Sequence, residues 1–327
     1  MTHKIKLIAA SFAAAFSATA GAASDAAPNY PTKPVRFIVP FAPGAGTDMT
    51  ARTIAQKLGD KFGQQFVVDN RTGAGGAIGV DTVAKAVPDG YTIGLISASN
   101  SVGAATNPGL PYNMERDLQG ISQATSLFYV MYTHPSVPVK SVKDLIAYAK
   151  ANPGKLNFGS SGNYTLQHFS GELFNHMAGV KITHVPYKGT AAVIPAMLAG
   201  EVQLGFGSLI GTRSMMDQGK LRGIAITAGK RSPSIDLPTI AESGLKGYEV
   251  DQWYGVIASS KVPQPIIRKL YQGIAEALKQ PEVAQRLAHD GSTPVATTPE
   301  QFNAHIKSEI AKWKRLVKEA KLPLQNS

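Results

Sequence analysis

The sequence predicts an α/β protein of two lobes, and three observations carry that prediction. Its 327 residues exceed one ordinary domain of ~150 residues and suit two. Strand, glycine-rich turn and helix recur in that order, which points to parallel strands rather than a sandwich or a bundle. That grammar runs once, halts, and restarts downstream. With 43% hydrophobic and 17% charged residues, the chain can bury a sizeable core and falls outside the disordered and multi-span membrane classes.

The first segment reads as an address. Lys4 and Lys6 form a positive start, Leu7 to Ala18 an apolar run, and Ala18-Thr19-Ala20 or Ala20-Gly21-Ala22 a small-residue cleavage site. The run is shorter than the ~20 residues that span a bilayer, and the chain has no cysteine to carry a lipid. Residues 1–23 are therefore expected to be a cleaved signal peptide and the mature protein to be periplasmic. Loss of Lys4 and Lys6 lowers the net charge from +11 to +9.

After Pro28, Pro31 and Pro34, Val35–Val39 reads as a buried strand that runs into Phe41-Ala42-Pro43-Gly44-Ala45-Gly46-Thr47-Asp48. Ile54, Leu58 and Phe62 then share one face of a helix from Met49 to Phe62. Phe66–Asp69 is the next strand, followed by the turn Asn70–Gly76 and a helix through Val83; Tyr91–Ser97 is a third strand. The second unit opens with Ser141 as N-cap of a helix to Ala151. Strands follow at Leu156–Phe158, Ile182–Val185, Val202–Phe206 and Leu221–Ile226, with helices at Thr165–Met177 and up to Ala199, where Gly200 stops the turn. Trp253–Ala258 is another strand, and Ile266–Leu278, Glu282–His289 and Pro299–Lys321 are helices. The crossing between lobes is placed at Leu127–Thr133 and the return at Asp251–Gly255. Lobe 1 is then 30–128 plus 253–327, and lobe 2 is 129–252.

Searches for catalytic motifs find none. The absence of cysteine excludes disulfides, thiolate catalysis and Cys-based zinc or Fe–S sites. Gly159-Ser160-Ser161-Gly162 misses the G-x-S-x-G spacing of a nucleophile elbow. Gly46 is followed by Thr47-Asp48, not the G-K-[ST] of a phosphate loop. His168 and His176 are eight residues apart, too far to share one ion from one straight helix. No enzyme activity, cofactor or metal is expected. The basic cluster Lys312, Lys314, Arg315, Lys318 and Lys321 reads as a solvated helix face, so no nucleic-acid partner is expected.

What recurs is glycine-rich turns feeding helix N-termini, where unpaired N–H groups and the positive dipole end attract anions. Gly44–Asp48, Gly73–Gly76, Gly159–Asn163 and Tyr187–Thr190 are four such turns. Any one of them could merely cap a βα unit. Several, in both lobes, point to a cleft that grips an anion from two sides, because ligands of open α/β sheets sit outside the strands' carboxyl ends. Thr47, Ser160, Ser161, Asn163, Thr190 and Ser208 could orient the ligand or cap helices. Asp48 reads as a cap that also orders its loop. Phe41, Tyr187, Trp253 and Tyr254 could wall a pocket or fill the core.

These motifs, with Pro88-Asp89-Gly90-Tyr91-Thr92, His184-Val185-Pro186-Tyr187-Lys188-Gly189, Leu237–Gly244 and Trp253-Tyr254-Gly255, resemble the Bug family. Its members are extracytoplasmic solute-binding proteins of tripartite tricarboxylate transporters, and the likeness covers nearly all of the mature chain. It implies a periplasmic-binding-protein fold of the type II, Venus-flytrap kind, with a ligand cleft between the lobes. It also implies a monomer that closes on a small carboxylate and delivers it to membrane permease subunits, one large and one small. Phe41, Pro43, Gly44, Ala45, Gly46, Thr47 and Asp48 would grip one carboxylate from lobe 1. Ser160, Ser161 and Asn163, with Tyr187, Gly189, Thr190 and Ser208, would complete the site from lobe 2. Many relatives carry an acidic residue where Gly205-Phe206-Gly207-Ser208 stands, a place able to meet a ligand's amino group. Its lack favours di- or tricarboxylates or aromatic acids over amino acids. A carboxylate sensor for a membrane kinase and an exported hydrolase are the alternatives.

Overall fold

The computed structural model describes residues 29–44, 46–289, 291–322 and 324, so the expected signal peptide and Ala45 lie outside the described residues. Three parallel strands begin the fold: β1 (Val35–Val39), β2 (Phe66–Asn70) and β3 (Thr92–Ser97), in the order β2-β1-β3. Two antiparallel pairings extend them. β9 (Asp251–Ser259) adds to β3, and β4 (Leu118–Thr133) adds to β9. Successive side chains of a strand point to opposite faces, and the burial follows that rule. Val35, Phe37, Val39, Ile93, Leu95 and Val256 pack with Ile54 and Leu58 of α1 (Gly46–Phe62) and Ile267, Leu270 and Ile274 of α9 (Gln264–Lys279). Ile38, Ile96, Trp253 and Ile257 pack on the other side, against α2 (Ala77–Ala84), α3 (Ala98–Thr106) and α11 (Pro299–Glu319).

The second unit repeats the plan. β5 (Asn157–Ser160) lies between β6 (Thr183–Pro186) and β7 (Leu204–Ser208), all three parallel. Helices α6 (Leu166–Ala178), α7 (Thr190–Leu198) and α8 (Leu209–Asp217) follow these strands in turn. β7 and β8 (Arg222–Ile226) flank the far end of β4, both antiparallel to it.

β4 therefore belongs to two sheets. Leu118–Phe128 pairs with β9 in the first, and Tyr129–Thr133 pairs with β7 and β8 in the second. The register fixes a consequence. In the first sheet β4 runs in the direction of β1 and β3, so their carboxyl ends point toward Phe128. In the second, β7 runs against β4 and ends with Ser208 opposite Tyr129, and β5 and β6 end on the same side. The carboxyl ends of both sheets converge on one crossing point, which is where ligands of open α/β sheets bind.

The fold differs from the sequence reading in several places. β4 spans 118–133, well beyond the apolar segment Leu127–Thr133, because its first part buries polar residues. Ser122 donates its hydroxyl to the Thr297 carbonyl at 2.8 Å, and the Gln123 amide donates to the Thr297 hydroxyl at 3.0 Å. β4 and β9 are also antiparallel insertions in sheets expected to be parallel. Three helices were unmarked: α3, the single turn α4 (Met114–Asp117), and α8. α3 reads ASNSVGAAT, rich in weak helix formers; a reciprocal Ser97–Asn100 capping box holds its start. α1 begins at Gly46 rather than Met49. The basic cluster behaves as expected for Lys314, Arg315 and Lys318, which are exposed, whereas Lys312 folds back on Glu309 and over the Trp313 ring.

Candidate functional site

The loop after β1 is held by one carboxylate. Asp48, whose side chain is only 4% exposed, accepts hydrogen bonds from the Gly44 amide at 2.9 Å and Arg52 Nε at 2.9 Å. Its other oxygen accepts from Asn70 Nδ2 at 3.0 Å, and that same amide reaches the Phe41 carbonyl at 3.0 Å. The last residue of β2 thus ties the loop at two points. Burial pushes the Asp48 carboxyl up, but the donors Arg52, Gly44 and Asn70 outweigh it and hold the group below its ordinary value. Asp48 lies inside the first turn of α1, not at its cap. Its charge is met by Arg52 and its oxygens are all directed inward, so it presents no bare anion to the crevice. Phe41 is half-buried, Pro43 and Gly44 are exposed, and Thr47 is buried in the first turn. A Cβ on Gly46 would sit 2.5 Å from the Tyr254 hydroxyl, so the phenol of β9 packs directly against the start of α1.

The other lobe-1 turns meet beside it. Gly73, Gly75 and Gly76 all have positive φ, and a Cβ on Gly76 would lie 2.9 Å from Asn100 Nδ2. The start of α2 is thereby pressed against the start of α3, a helix N-terminus the sequence reading missed. Ser99 accepts the Leu166 amide of α6 at 3.5 Å, joining the two units directly. A strand ending in a buried serine with asparagine three residues on was the available signal for α3.

In the second unit Ser160 is fully buried. Its hydroxyl donates to the Gly162 carbonyl at 2.9 Å, accepts the Gly162 amide at 3.2 Å, and lies 2.6 Å from His184 Nε2. The Ser161 amide donates to Gln167 Oε1 at 2.8 Å, the Tyr187 amide to the Ser160 carbonyl at 2.9 Å, and the Gly189 amide to the Ser161 carbonyl at 3.1 Å. The turn after β5 and the turn after β6 are therefore stitched into one unit. Among the described residues, the amides of Asn163, Lys188 and Thr190 have no hydrogen-bond partner. Asn163 and Thr190 are exposed and Tyr187 half-buried, its phenol 3.4 Å from Glu201 Oε2. Burial, then the Glu201 charge, raises the Tyr187 pKa. Ser208 caps α8 by accepting the Gly211 amide at 3.4 Å. Trp253, a possible wall, is instead core, edge-on to Phe302 at 5.5 Å. His176 pairs with Glu319 at 3.4 Å, far along α6 from the turn. Among the described residues no three His, Cys, Asp or Glu side chains are grouped to hold a metal ion.

Residues 50–322 match the family described as Tripartite tricarboxylate transporter family receptor. The chain belongs to that receptor family. It is 38% identical to Protein BugT of Bordetella pertussis over 308 residues, 93% of this chain and 94% of BugT. Its fold matches the Rhodopseudomonas palustris protein Rpa4515, solved with adipate, at TM-score 0.80 and 35% identity, covering 89% of this chain and 98% of that one. MatC from the same organism, solved with bound malate, matches at 0.76 and 29%, covering 88% and 100%. The resemblance to the Bug family read from the turns therefore holds. So does the two-lobed fold of a periplasmic binding protein. As a tripartite tricarboxylate transporter receptor, the chain is a solute-binding protein, and its family is not one of enzymes.

Proposed function

We propose that this receptor captures a small organic carboxylate in the crevice between lobes 30–128 plus 253–327 and 129–252. It would work in the periplasm, after loss of residues 1–23, and deliver its ligand as a monomer to the permease subunits of a tripartite tricarboxylate transporter. The observation that carries this reading is the convergence of strand ends on one crossing point, with helix N-termini offered from both sides. In lobe 1, Phe41, Pro43, Gly44, Gly46, Thr47 and Asp48 would form the wall, and the first-turn amides of α1 lack intrahelical acceptors. In lobe 2, the amides of Asn163 and Thr190 are the donors. Ser160, Ser161, Tyr187, Gly189 and Ser208 shape the surface that presents them.

The ligand class follows from charge. None of these turns carries an acidic side chain except Asp48, whose oxygens are taken by Arg52, Gly44 and Asn70. The turns themselves offer an ammonium group no free carboxylate, and Glu201 beside them is engaged by the Tyr187 phenol, so di- and tricarboxylates and aromatic acids fit better than amino acids. The adipate and malate found in the two Rhodopseudomonas relatives support the carboxylate class. Helix-terminus contacts contribute ~0.3–1 kcal/mol each, up to ~2 when partly buried. Several of them, with apolar surface buried on closure, reach micromolar affinity at roughly −8 kcal/mol. A thermal-shift panel of adipate, malate, citrate and benzoate tests the reading. A bound acid at a hundred times its Kd adds ~2.7 kcal/mol of stability and raises Tm; an unchanged Tm across the panel would contradict it. Mass spectrometry of the recovered ligand should show it chemically unchanged.

A further inference from the structure

The stitched turn of the second lobe rests on a pair of histidines that the proposed binding surface does not itself include. His184 of β6 stands beside Phe158 of β5 in the strand register, and its ring is stacked on that of His168 of α6, centroids 3.8 Å apart and planes within 11°. Ser160 Oγ lies 2.6 Å from His184 Nε2 and 2.9 Å from the Gly162 carbonyl, which also accepts the Thr165 hydroxyl at 2.8 Å, so the His184 contact ties Ser160 in place whichever of the two atoms carries the hydrogen. His168 Nδ1 accepts the Tyr164 amide at 3.1 Å, which puts its hydrogen on Nε2, 3.6 Å from Glu172 Oε1. Burial, then His168, drives the His184 pKa down to about 3, so that ring is neutral across the physiological range.

We propose that His184 is a positioning residue for ligand capture: its Nε2, hydrogen-bonded to the Ser160 hydroxyl, locks that hydroxyl and thereby the Ser160–Asn163 and Tyr187–Thr190 turns in the shape that presents the Asn163 and Thr190 amides. The consequence for binding rests on the carboxylate reading above, whereas the locking of the turns does not. The chain of contacts is short. His184 fixes Ser160 Oγ, Ser160 Oγ fixes both polar groups of Gly162, and the Ser160 and Ser161 carbonyls hold the Tyr187 and Gly189 amides. Loosening the first contact lets the last two drift, and the donors lose their common aim.

Two variants separate the hydrogen bond from the ring. His184→Phe keeps an aromatic face for the stack and removes the hydrogen-bonding nitrogen; His184→Gln keeps a hydrogen-bonding group near the Nε2 position and removes the stack. Amide hydrogen exchange on the full chain reads the turns without any ligand. In His184→Phe the Gly162 and Gly189 amides should exchange about tenfold faster, with unchanged protection in the core of α6; in His184→Gln they should stay near the wild-type rate. Titration calorimetry with adipate, malate and citrate should show affinity falling about tenfold for His184→Phe and recovering in His184→Gln. Wild-type exchange in His184→Phe, or equal acceleration in both variants, overturns the proposal. If the wild type takes up none of the three acids, the carboxylate reading fails, and the exchange rates still decide whether His184 locks the turns.

Discussion

Asp48 shows how a carboxylate can sit at the proposed anion site without opposing it. Removing it as Asp48→Ala leaves the Gly44 amide, Arg52 and Asn70 without their acceptor and should destabilise the protein by about 2–3 kcal/mol at pH 7. The pH dependence has a definite sign. The folded-state pKa lies below its ordinary value, so the unfolded chain binds more protons in between. The stabilisation is present above about pH 4 and is lost as pH falls through the folded pKa. Urea unfolding of wild type and variant should therefore give a gap that narrows between pH 5 and pH 3; a gap that widens would refute the assignment. Gly46 makes a second residue-level test. Gly46→Ala drives a methyl into the Tyr254 hydroxyl and should lower Tm, and Tyr254→Phe should recover most of that loss in the double variant. A full additive loss would show that the collision is elsewhere. These roles were half-legible. The glycines and Asp48 stood out in sequence as a turn, but the partner that makes Gly46 necessary lies more than two hundred residues away on β9. Ser160 stood out as a candidate ligand group, yet its hydroxyl is directed inward, because the histidine that holds it comes from another strand.

At the scale of elements, α11 is seated on the first sheet by two glycines. A Cβ on Gly120 of β4 would lie 2.6 Å from the Phe302 ring, and one on Gly255 of β9 would overlap it. Gly255→Ala should destabilise by about 1–3 kcal/mol through overpacking, measured by chemical denaturation, with no change expected if the ring could swing aside. The start of β9 adds a titrating group. Burial, then Glu249, with Glu309 adding and Lys312 opposing, pushes Asp251 up to about 6. The folded state thus holds a proton that the unfolded chain releases between about pH 4 and 6, and stability falls as pH rises through that range. Asp251→Asn should raise Tm at pH 7.5 and leave it little changed at pH 4.5; the reverse order would contradict this environment. The strands and helices with strong periodicity were readable from the chain: β1, β2, β3, α5 (Val142–Ala151), α6, α9 and α11. α3 and α8 were not, since Ser, Asn and Gly carry little helical preference and the packing of α11 and the Ser208 cap decide them. β4 was half-read because a strand buried on both sides can satisfy polar residues from neighbouring loops, which leaves no apolar run to recognise.

For the whole molecule, two α/β units were legible from the repeated turns, and the family likeness supplied their arrangement. The antiparallel insertion of β4 and β9 was not, since strand direction depends on which distant segments pair. Yet that insertion makes both sets of carboxyl ends face each other. On one side the units are joined by buried packing: Phe169 of α6 meets Trp313 of α11 edge-on, ring centroids 5.8 Å apart. Opening is therefore expected at the side of the glycine turns, about a seam that stays closed. The most direct test of the central claim is a crystal structure of the protein with whichever acid gives the largest thermal shift. The ligand should lie at the β4 crossing, with one carboxylate against the first turn of α1 and donors from Asn163 and Thr190 within ~3 Å of its oxygens. A ligand bound outside that crevice, or one contacted by a single lobe alone, would contradict the account.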